Sequence, residues 1–595
     1  MCYRVWVTFL LIVWVGSWSL VPVSALGIQE WGVWCAPDYL AEQVAYQIQA
    51  QRRPRWSSRR AYTRRRSSRC GKSVWRQTQR RRGVKNEEQP TSTALSAPAA
   101  EKREPPVDQP QRWGLRPELS QELPERLHDL WQRYYTCFET KTRNGGEYAY
   151  HYLSALLRME TKRNYTNIGQ TAGTSGENIQ HFMSNSPWAM QSVLKQVQEE
   201  IKATPGLQQG GILLLDESAD ETAGDKKAGA GRQYNGRLGK VDLSQMGVFL
   251  AYANLTDVRR PVWTWVDGEL FLQEYWFSPE MAEMCKRVGL PKGCRFETKI
   301  EKGWDMILRT KTQGLPFEAV ACDDFYGRST WLRDQMNAAG ITYMADVPCN
   351  THVYLEKPVL ETPQPVSEHE QPRPVHLKVL NGLKPFSVQQ LARHPATVWK
   401  HVRVRPIERG ELNDPFAARR VWTLREGKTE PVEEWLVIRR ESSNRYNYSL
   451  SNAPADATLA VLAWLKCQRF FVERSNQDAK SEAGWDELQA QKYRGWVHHL
   501  ALVILATWFV AQTKWDWGQK YTRDPALAQQ FGLEVLPALS MSNIRTLLRA
   551  AIPLPQLNPE QAVALVAAHL VNRTRSRKSR IISQKASYHA LPAPP

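Results

Sequence analysis

Residues 213–218 read LLLDES, an apolar run that ends in the carboxylate of Asp216. Such a run is typical of a buried strand that carries an acidic side chain to the edge of a sheet. The run AVACD at 319–323 ends in the same way, at Asp323. A polar helix further along the chain carries Glu473. Two aspartates at strand ends and one glutamate on a helix are suited to hold divalent metal ions for phosphoryl transfer.

The elements around these acids predict an α/β fold with a ribonuclease H-like mixed sheet. Three consecutive strands come first, and helices then alternate with two further strands. The predicted strands are 211–216, 245–252, 262–272, 317–323 and 341–347, and the predicted helices are 278–288, 299–312 and 328–339. In this order the first and fourth strands are adjacent, so we expect Asp216 and Asp323 to face one metal pair. Taken singly, each aspartate is more typical of a turn or a helix cap.

The charge of the chain is concentrated in one segment. The 595 residues carry a net charge of +19, and residues 51–85 hold 15 Lys or Arg with no Asp or Glu, so the remainder carries only +4. A basic run of this kind predicts a polyanionic partner, above all nucleic acid. An arm without a specific role has the same composition. A length of 595 residues has room for about three or four domains.

The amino-terminal region differs in character from the rest. Arg4, the apolar run 5–15 and the small residues 23–25 have the form of a secretory signal, whereas nine scattered cysteines favour a reducing cytoplasm. We interpret the whole of 1–118 as a disordered extension that is foreign to the folded core. We also interpret the signal-like segment as one that does not direct secretion, which predicts a cytoplasmic, nucleoid-associated protein.

Residues 119–205 predict a helical DNA-binding domain. Within it, 164–172 and 177–183 read as two helices joined by the turn GTSG, in which Ser175 can cap the second helix. This is the pattern of a helix-turn-helix that reads DNA. The corner of an ordinary helical bundle has the same pattern, and it is the commoner structure.

Residues 351–458 predict an insertion that is partly β and divides the α/β core. Alternating residues on either side of Glu426-Gly427-Lys428 indicate a hairpin. Trp399, Trp422 and Trp435 lie here among many Arg and Lys, which suits the stacking of bases next to phosphates. The core of a small β unit needs the same aromatic residues, and we expect at least two of the three to be core.

Residues 459–515 predict the second part of the core. The segment 459–490 is strongly helical, and Arg469, Glu473 and Lys480 fall on one face of such a helix. This face can bind metal through the acid and phosphate through the bases, although a solvated salt-bridged face has the same spacing.

The remaining sequence predicts helices and a tail. We expect the apolar helix 496–512 to be buried rather than to span a membrane, with His498 and His499 satisfied by hydrogen bonds. A helical region at 516–572 and a basic, disordered tail at 573–595 follow.

Four stretches together resemble bacterial insertion-sequence transposases of the DDE superfamily, and the resemblance covers about residues 119–570. The stretches are LLLDES at 213–218, GAGRQYNGRLGKV at 229–241, VACDDFYGRS at 320–329 and FVERSNQDAKSEAGWDELQAQKYRGWVHH at 471–499. The resemblance implies a ribonuclease H-like core in two parts, 206–350 and 459–515, with an Asp-Asp-Glu triad of Asp216, Asp323 and Glu473.

The resemblance also implies cofactors, partners and further site residues. Two Mg²⁺ ions, for which Mn²⁺ can substitute, would serve an enzyme that cleaves transposon ends and joins the 3′ ends to target DNA. A homodimer on DNA and no membrane association are implied. The candidate DNA contacts are Arg469, Lys480, Trp399, Arg232 and Lys240.

The sequence departs from the family pattern at one position and leaves three questions open. Lys466 stands where relatives with such an insertion carry a Tyr before the Arg, Glu and Lys. The neighbouring Tyr326-Gly327 favours Asp323 over Asp324 as the second acid. The alternatives to a transposase are a ribonuclease H-like nuclease without strand transfer and an inactive DNA-binding derivative.

Overall fold

The computed structural model describes residues 106–589, apart from 223, 237, 362–377, 408–409, 427 and 557. The predictions for the signal-like segment 1–26 and the basic stretch 51–85 lie outside the described residues. The strands are β1 Gly211–Glu221, β2 Gly231–Asn235, β3 Lys240–Asn254, β4 Val262–Phe271, β5 Ala319–Cys322, β6 Thr342–Val347, β7 His352–Val353, β8 Leu360–Glu361, β9 Lys378–Val379, β10 Phe386–Ser387, β11 Lys400–Ile407, β12 Gly410–Thr423, β13 Val432–Arg440 and β14 Tyr446–Ser451.

The helices flank and extend this set of strands. They are α1 Glu118–Tyr134, α2 Gly146–Arg158, α3 Tyr165–Thr171, α4 Gly176–Ser184, α5 Met190–Ala203, α6 Ala282–Val288, α7 Lys299–Thr312, α8 Asp324–Gly327, α9 Thr330–Ala338, α10 Val388–Arg393, α11 Leu459–Cys467, α12 Phe470–Gln477, α13 Tyr493–Lys520, α14 Ala526–Gln530, α15 Met541–Ala551 and α16 Pro559–His589. A π-helical turn, Asp478–Glu482, continues α12.

Ten strands form one mixed sheet in the order β11-β12-β13-β14-β6-β5-β1-β3-β2, and β4 also pairs with β3. β1 runs parallel to β5, and β5 runs parallel to β6. The pairs β1–β3 and β3–β4 are antiparallel. The predicted ribonuclease H-like order is therefore confirmed, including the adjacency of the two strands that lead to Asp216 and Asp323. The short strand β2 was not predicted.

The first strand is longer than the sequence predicts. β1 leaves its parallel partner β5 after Leu215 but stays paired with β3 as far as Glu221. The prediction that Asp216 ends the strand is therefore wrong, because antiparallel pairing carries the polar residues after it. Asp216 lies instead where β1 and β5 part.

The long strands of the insertion join the central sheet, while its short strands form two separate pairs, β7 with β10 and β8 with β9. Its last strand, β14, pairs antiparallel with β6, and β13, β12 and β11 then continue the central sheet outward. The predicted hairpin is confirmed as β12 and β13. A second, smaller core lies beneath these strands, with Val421, Leu436 and Leu450 buried in it.

The predicted helix-turn-helix is present as α3 and α4. The Ser175 side chain accepts a hydrogen bond from the backbone N–H of Asn178, as a helix cap does. The two helices approach so closely that a Cβ on Gly169 would meet the backbone nitrogen of Gly176 at 2.7 Å, and a Cβ on Gly176 would meet Thr166 Cα at 2.7 Å. Glycine at both positions allows this approach.

The long helix α13 packs in the interior, and both of its histidines have hydrogen-bond partners. His498 contacts the backbone oxygens of Met183 and Trp188, and His499 contacts the Tyr152 hydroxyl. By length and composition alone α13 is the one helix of the described residues that is able to cross a membrane, but 89% of its most apolar window is buried inside the protein. The predicted interior packing of this helix is confirmed.

Both ends of the described chain differ from the prediction. The folded part begins before residue 119, because Pro110–Trp113 form a 3₁₀ turn and Arg112 pairs with Asp524 at 2.7 Å. At the other end, residues 573–589 belong to the helix α16. The prediction of a disordered tail is wrong there, since the basic run lacks helix-breaking residues and simply prolongs the helix that begins at Pro559.

Candidate active site

Three aspartates stand at the same level on three neighbouring parallel strands. Leu215 of β1 pairs with Cys322 of β5, and Cys322 pairs with Ala345 of β6. The residues that follow these partners form what we call the acid row: Asp216, Asp323 and Asp346. The carboxyl ends of parallel strands meet at one edge of a sheet, which is where α/β folds place ligands. The pairing of β1 with β5 thus brings the two predicted aspartates together.

Burial and mutual repulsion raise the pKa of two members of the acid row. Burial raises the pKa of Asp216 to about 7, and the charge of Asp323 adds to the effect against the opposing influence of Arg469. Burial likewise raises the pKa of Asp323 to about 6, while the backbone N–H of Tyr326 and the charge of Arg469 act against it. Two carboxylates held this close disfavour each other's ionised form, and a cation between them would relieve that repulsion.

Asp323 is also fixed by the start of α8. Its Oδ1 accepts hydrogen bonds from the backbone N–H groups of Phe325 and Tyr326, at 3.1 and 3.2 Å. Asp324, the alternative second acid, is exposed and lies 3.5 Å from Arg328 in an ion pair within the same turn. Of the two adjacent aspartates, only Asp323 faces Asp216.

The predicted continuous helix 459–490 is interrupted just before Glu473. Gln468 is fully buried, and its side-chain amide donates to Trp464 O at 2.7 Å. An uninterrupted helix would give that carbonyl to the backbone N–H of Gln468, which donates instead to Leu465 O. The side chain thus displaces the helical hydrogen bond, and α11 ends before α12 begins.

Arg469 lies in this break and connects the acids. Its Nε is 3.4 Å from Asp346 Oδ2, and its terminal nitrogen is 3.8 Å from Glu473 Oε1. Burial alone would lower the pKa of Arg469, but the charges of Asp216, Asp346 and Asp323 raise it. The Glu473 side chain is 63% exposed. Within the part of the chain that the structure describes, no three His, Cys, Asp or Glu side chains form a group that could hold a metal ion. Glu473 therefore does not form such a group with the two aspartates.

Lys480 lies beyond the α-helix that carries Glu473. It lies in the π-helical turn after α12, where its Nζ is 2.7 Å from Asp220 Oδ1 and 3.3 Å from Ala219 O of β1. The wider π turn changes the angular spacing between Glu473 and Lys480 from that of the predicted α-helix. Lys480 fastens the Glu473 segment to β1.

The acid Glu217 lies next to the acid row and was not predicted. Its Oε1 is 2.8 Å from Lys299 Nζ, and its Oε2 accepts a hydrogen bond of 3.5 Å from the Tyr326 hydroxyl. Asp346 was also missed. The apolar run 341–347 that contains Asp346 repeats the signal that identified the first two acids, so the sequence did contain the information.

The remaining predicted DNA contacts lie elsewhere. Arg232 is exposed on β2, and Lys240 pairs with Asp242 at 2.8 Å on the same edge hairpin. Trp399 precedes β11, and three strands lie between β11 and β6 in the sheet. Its side chain is half-buried, and the Arg440 guanidinium lies 5.2 Å from its ring centre. Trp422 and Trp435 are half-buried as well. Trp435 packs against the main core and Trp399 against the smaller one, so two of the three tryptophans contribute to a core, although Trp399 rather than Trp422 is the second. A cation lies over the rings of Trp422 and Trp435 as well, Lys357 over the first and Arg420 over the second.

The raised pKa of Asp216 predicts a measurable effect on stability. The folded state destabilises the ionised carboxylate, so the penalty is absent below about pH 4 and complete above about pH 7. We expect Asp216→Asn to raise the free energy of unfolding at pH 8 by about 2 kcal/mol and to change it little at pH 4. Thermal unfolding in EDTA at both pH values tests this, with the exposed Asp324→Asn as the control. An equal effect of Asp216→Asn at both pH values would contradict the assignment.

Two comparisons relate this chain to known proteins. Residues 133–411 match the family model described as DDE superfamily endonuclease, which includes both Asp216 and Asp323. The chain is also 24% identical over 362 residues to a probable transposase for insertion sequence element IS701 from Microchaete diplosiphon, which covers 58% of this chain and 77% of that relative. Over these residues the chain is therefore similar to DDE superfamily endonucleases and to an insertion-sequence transposase.

Proposed function

We propose that this protein is a DNA transposase that binds transposon ends, cleaves them and joins the 3′ ends to target DNA by metal-dependent phosphoryl transfer. The observation that carries the proposal is the pair of half-buried aspartates, Asp216 and Asp323, each of which directly follows the paired residues of β1 and β5. Two carboxylates whose charges are incompletely compensated by protein are suited to hard divalent cations. The comparisons supply the chemistry for which such a pair is used.

The donor set fits a magnesium or manganese site. Asp216 and Asp323 offer carboxylate oxygens, which are the ligands these ions prefer, and Glu473 is the third acid on the same side. Bound metal ions would activate a water molecule for attack on a phosphodiester and stabilise the leaving 3′ oxygen. The protein's own groups orient the substrate. Arg469 offsets phosphate charge beside the acid row. The exposed Glu473 side chain can rotate towards Asp216 and Asp323 when bound cations relieve the repulsion between those two carboxylates.

End recognition is assigned to the helix-turn-helix. The exposed side chains of α4 are Glu177, Asn178, Gln180 and His181. Asn and Gln can each form paired hydrogen bonds with adenine in the major groove. Arg143, whose guanidinium contacts His181 Nδ1 at 2.8 Å, adds positive charge to this face. Exposed amide side chains on α4 with a cation beside them support this part of the proposal.

The end-recognition assignment predicts a selective loss of affinity. We expect Asn178→Ala with Gln180→Ala to weaken binding to duplexes from the gene borders by about 2–4 kcal/mol, because each lost base contact costs about 1–3 kcal/mol. Binding to internal duplexes of the same length should hardly change. Fluorescence anisotropy at fixed salt measures both affinities. Gln191→Ala, an exposed glutamine on the neighbouring helix α5, is the matched control. Equal weakening on both duplexes would contradict specific reading by α4.

The remaining proposals concern assembly and place of action. We propose a homodimer on DNA, because two ends must be joined in one event. Arg232 and Lys240 are proposed as outer DNA contacts because they are exposed and charged, and Trp399 because its half-buried ring lies beside the Arg440 guanidinium. Since the substrate is cellular DNA, we propose that the protein acts in the cytoplasm, at the nucleoid.

A further inference from the structure

Asp346 is the third member of the acid row, and two cations hold it. Its side chain is 24% exposed, and Lys466 Nζ lies 3.0 Å from Oδ1. Arg469 Nε lies 3.4 Å from Oδ2. The Ser449 hydroxyl, on the strand paired with β6, also donates to Oδ1. Asp346 thus differs from Asp216 and Asp323, because no dedicated cation offsets the repulsion between those two carboxylates.

Lys466 is almost completely buried, with only 3% of its side chain exposed. It lies in the last turn of α11, and its Nζ bonds to Ser449 Oγ as well as to Asp346. A buried ammonium is stable only when it is paired and hydrogen-bonded. Lys466 therefore fixes the end of α11 to the β6–β14 pair and balances the charge of Asp346.

Arg469 lies just after the end of α11. The break between α11 and α12 contains Gln468 and Arg469, and α12 carries Glu473 in its first turn. An unsupported break would leave the direction of α12 free to vary. The bonds from Lys466 and Arg469 to one carboxylate connect the end of α11, the break and β6 into a single unit.

We propose that Asp346 and Lys466 are positioning residues for the phosphoryl-transfer step. Asp346, with its charge balanced by Lys466, holds Arg469 at the break and so sets Arg469 and Glu473 relative to Asp216 and Asp323. Neither residue touches DNA or metal. This inference rests on the proposed function. Errors of about 1 Å in the placement of such groups cost on the order of a hundredfold in rate.

The proposal predicts a coupled loss of cleavage. Single-turnover cleavage of a labelled gene-border duplex in Mg²⁺ should fall on the order of a hundredfold with Asp346→Asn and with Lys466→Met. The double variant should fall by about the same factor, because the two residues act as one unit. The dissociation constant for the duplex should stay within about threefold in all three. Lys466→Arg, which keeps the charge, should retain most of the activity.

Two measurements distinguish positioning from other roles. Calorimetric binding of Mn²⁺ to the DNA-free protein should be unchanged in Asp346→Asn and lost in Asp323→Asn, because only the second removes a ligand. Hydrogen exchange at 465–472 should become faster in Asp346→Asn. Asp414→Asn is the matched control, since Asp414 is similarly exposed (23%) and pairs with Arg439 at 2.8 Å within the insertion. Its cleavage should stay within about threefold of the wild type.

Four results would overturn the proposal: loss of Mn²⁺ binding by Asp346→Asn, cleavage by Asp346→Asn or Lys466→Met that matches the Asp414→Asn control, additive losses in the double variant, or unchanged exchange at 465–472. A wild-type protein that cleaves no border duplex would refute the proposed function instead. The exchange measurement would still decide whether Asp346 holds the break, so the two failures can be told apart.

Discussion

Asp323→Asn is expected to abolish DNA cleavage, with a loss of at least about a thousandfold, whereas Asp324→Asn is expected to retain activity. The change keeps the shape of the side chain and its cap on α8 but removes the charge that a divalent cation requires. Asp323 faces Asp216 across the β1–β5 pair, and Asp324 is exposed in an ion pair with Arg328. The adjacent residue thus provides a control of the same type.

The same assay extends to the other acids. Asp216→Asn and Glu473→Gln should each remove cleavage, while binding to the border duplex persists because other residues supply it. The readout is cleavage of a labelled duplex in Mg²⁺ by each purified variant, together with its circular dichroism spectrum. Activity retained by Asp323→Asn but lost by Asp324→Asn would move the second acid by one residue. Substantial cleavage by Glu473→Gln would remove that residue from the triad.

The second large effect is expected at the junction between the insertion and the core. Glu434 is fully buried on β13, and its carboxylate accepts hydrogen bonds from Arg333 and from the Tyr343 hydroxyl. It also lies 3.2 Å from Arg425, another fully buried side chain. Burial by itself would raise the pKa of Glu434, but the two guanidinium groups and the hydrogen bonds lower it. Glu434 therefore balances the buried Arg333 and shares the buried Arg425 with Asp334, whose Oδ1 lies 2.9 Å from Arg425 Nε.

Glu434→Gln should destabilise the fold by about 3–5 kcal/mol, because it leaves the buried Arg333 guanidinium without its counter-charge. The neighbouring Glu433 is 40% exposed and pairs with Arg420 at 2.9 Å. Glu433→Gln should change the free energy of unfolding by less than about 1 kcal/mol. Urea unfolding followed by tryptophan fluorescence measures both. Equal destabilisation by the two variants would contradict the conclusion that Glu434 stabilises the junction between the insertion and the core.

The sequence was informative wherever a residue pattern reflects local burial. The apolar runs before Asp216 and Asp323 located two buried strands, and the order of elements then placed those strands side by side. The turn around Ser175 located the helix-turn-helix for the same reason, since a cap and two close glycines are local requirements. Long-range partners such as Tyr152, which hydrogen-bonds to His499, have no such local signal.

The errors arose where one side chain alters the backbone or where strands pair over long distances. The Gln468 side chain bonds to a carbonyl of its own helix, which interrupts the predicted continuous helix before Glu473. The insertion joins the central sheet through the pairing of β14 with β6, which links residues about a hundred positions apart in sequence. The sequence showed that Lys466 departs from the family pattern. Its contact with Asp346 became evident only from the pairing of β14 with β6.

The central claim is that this protein joins DNA ends as well as cutting them. The most direct measurement incubates the wild-type protein with labelled border duplexes, a circular plasmid and Mg²⁺, and resolves the products by denaturing electrophoresis. The proposed transposase should transfer the labelled 3′ end to the plasmid, and Asp216→Asn should yield no joined product. Cleavage of border and internal duplexes alike, with no label on the plasmid, would contradict the claim and indicate a nuclease without strand transfer.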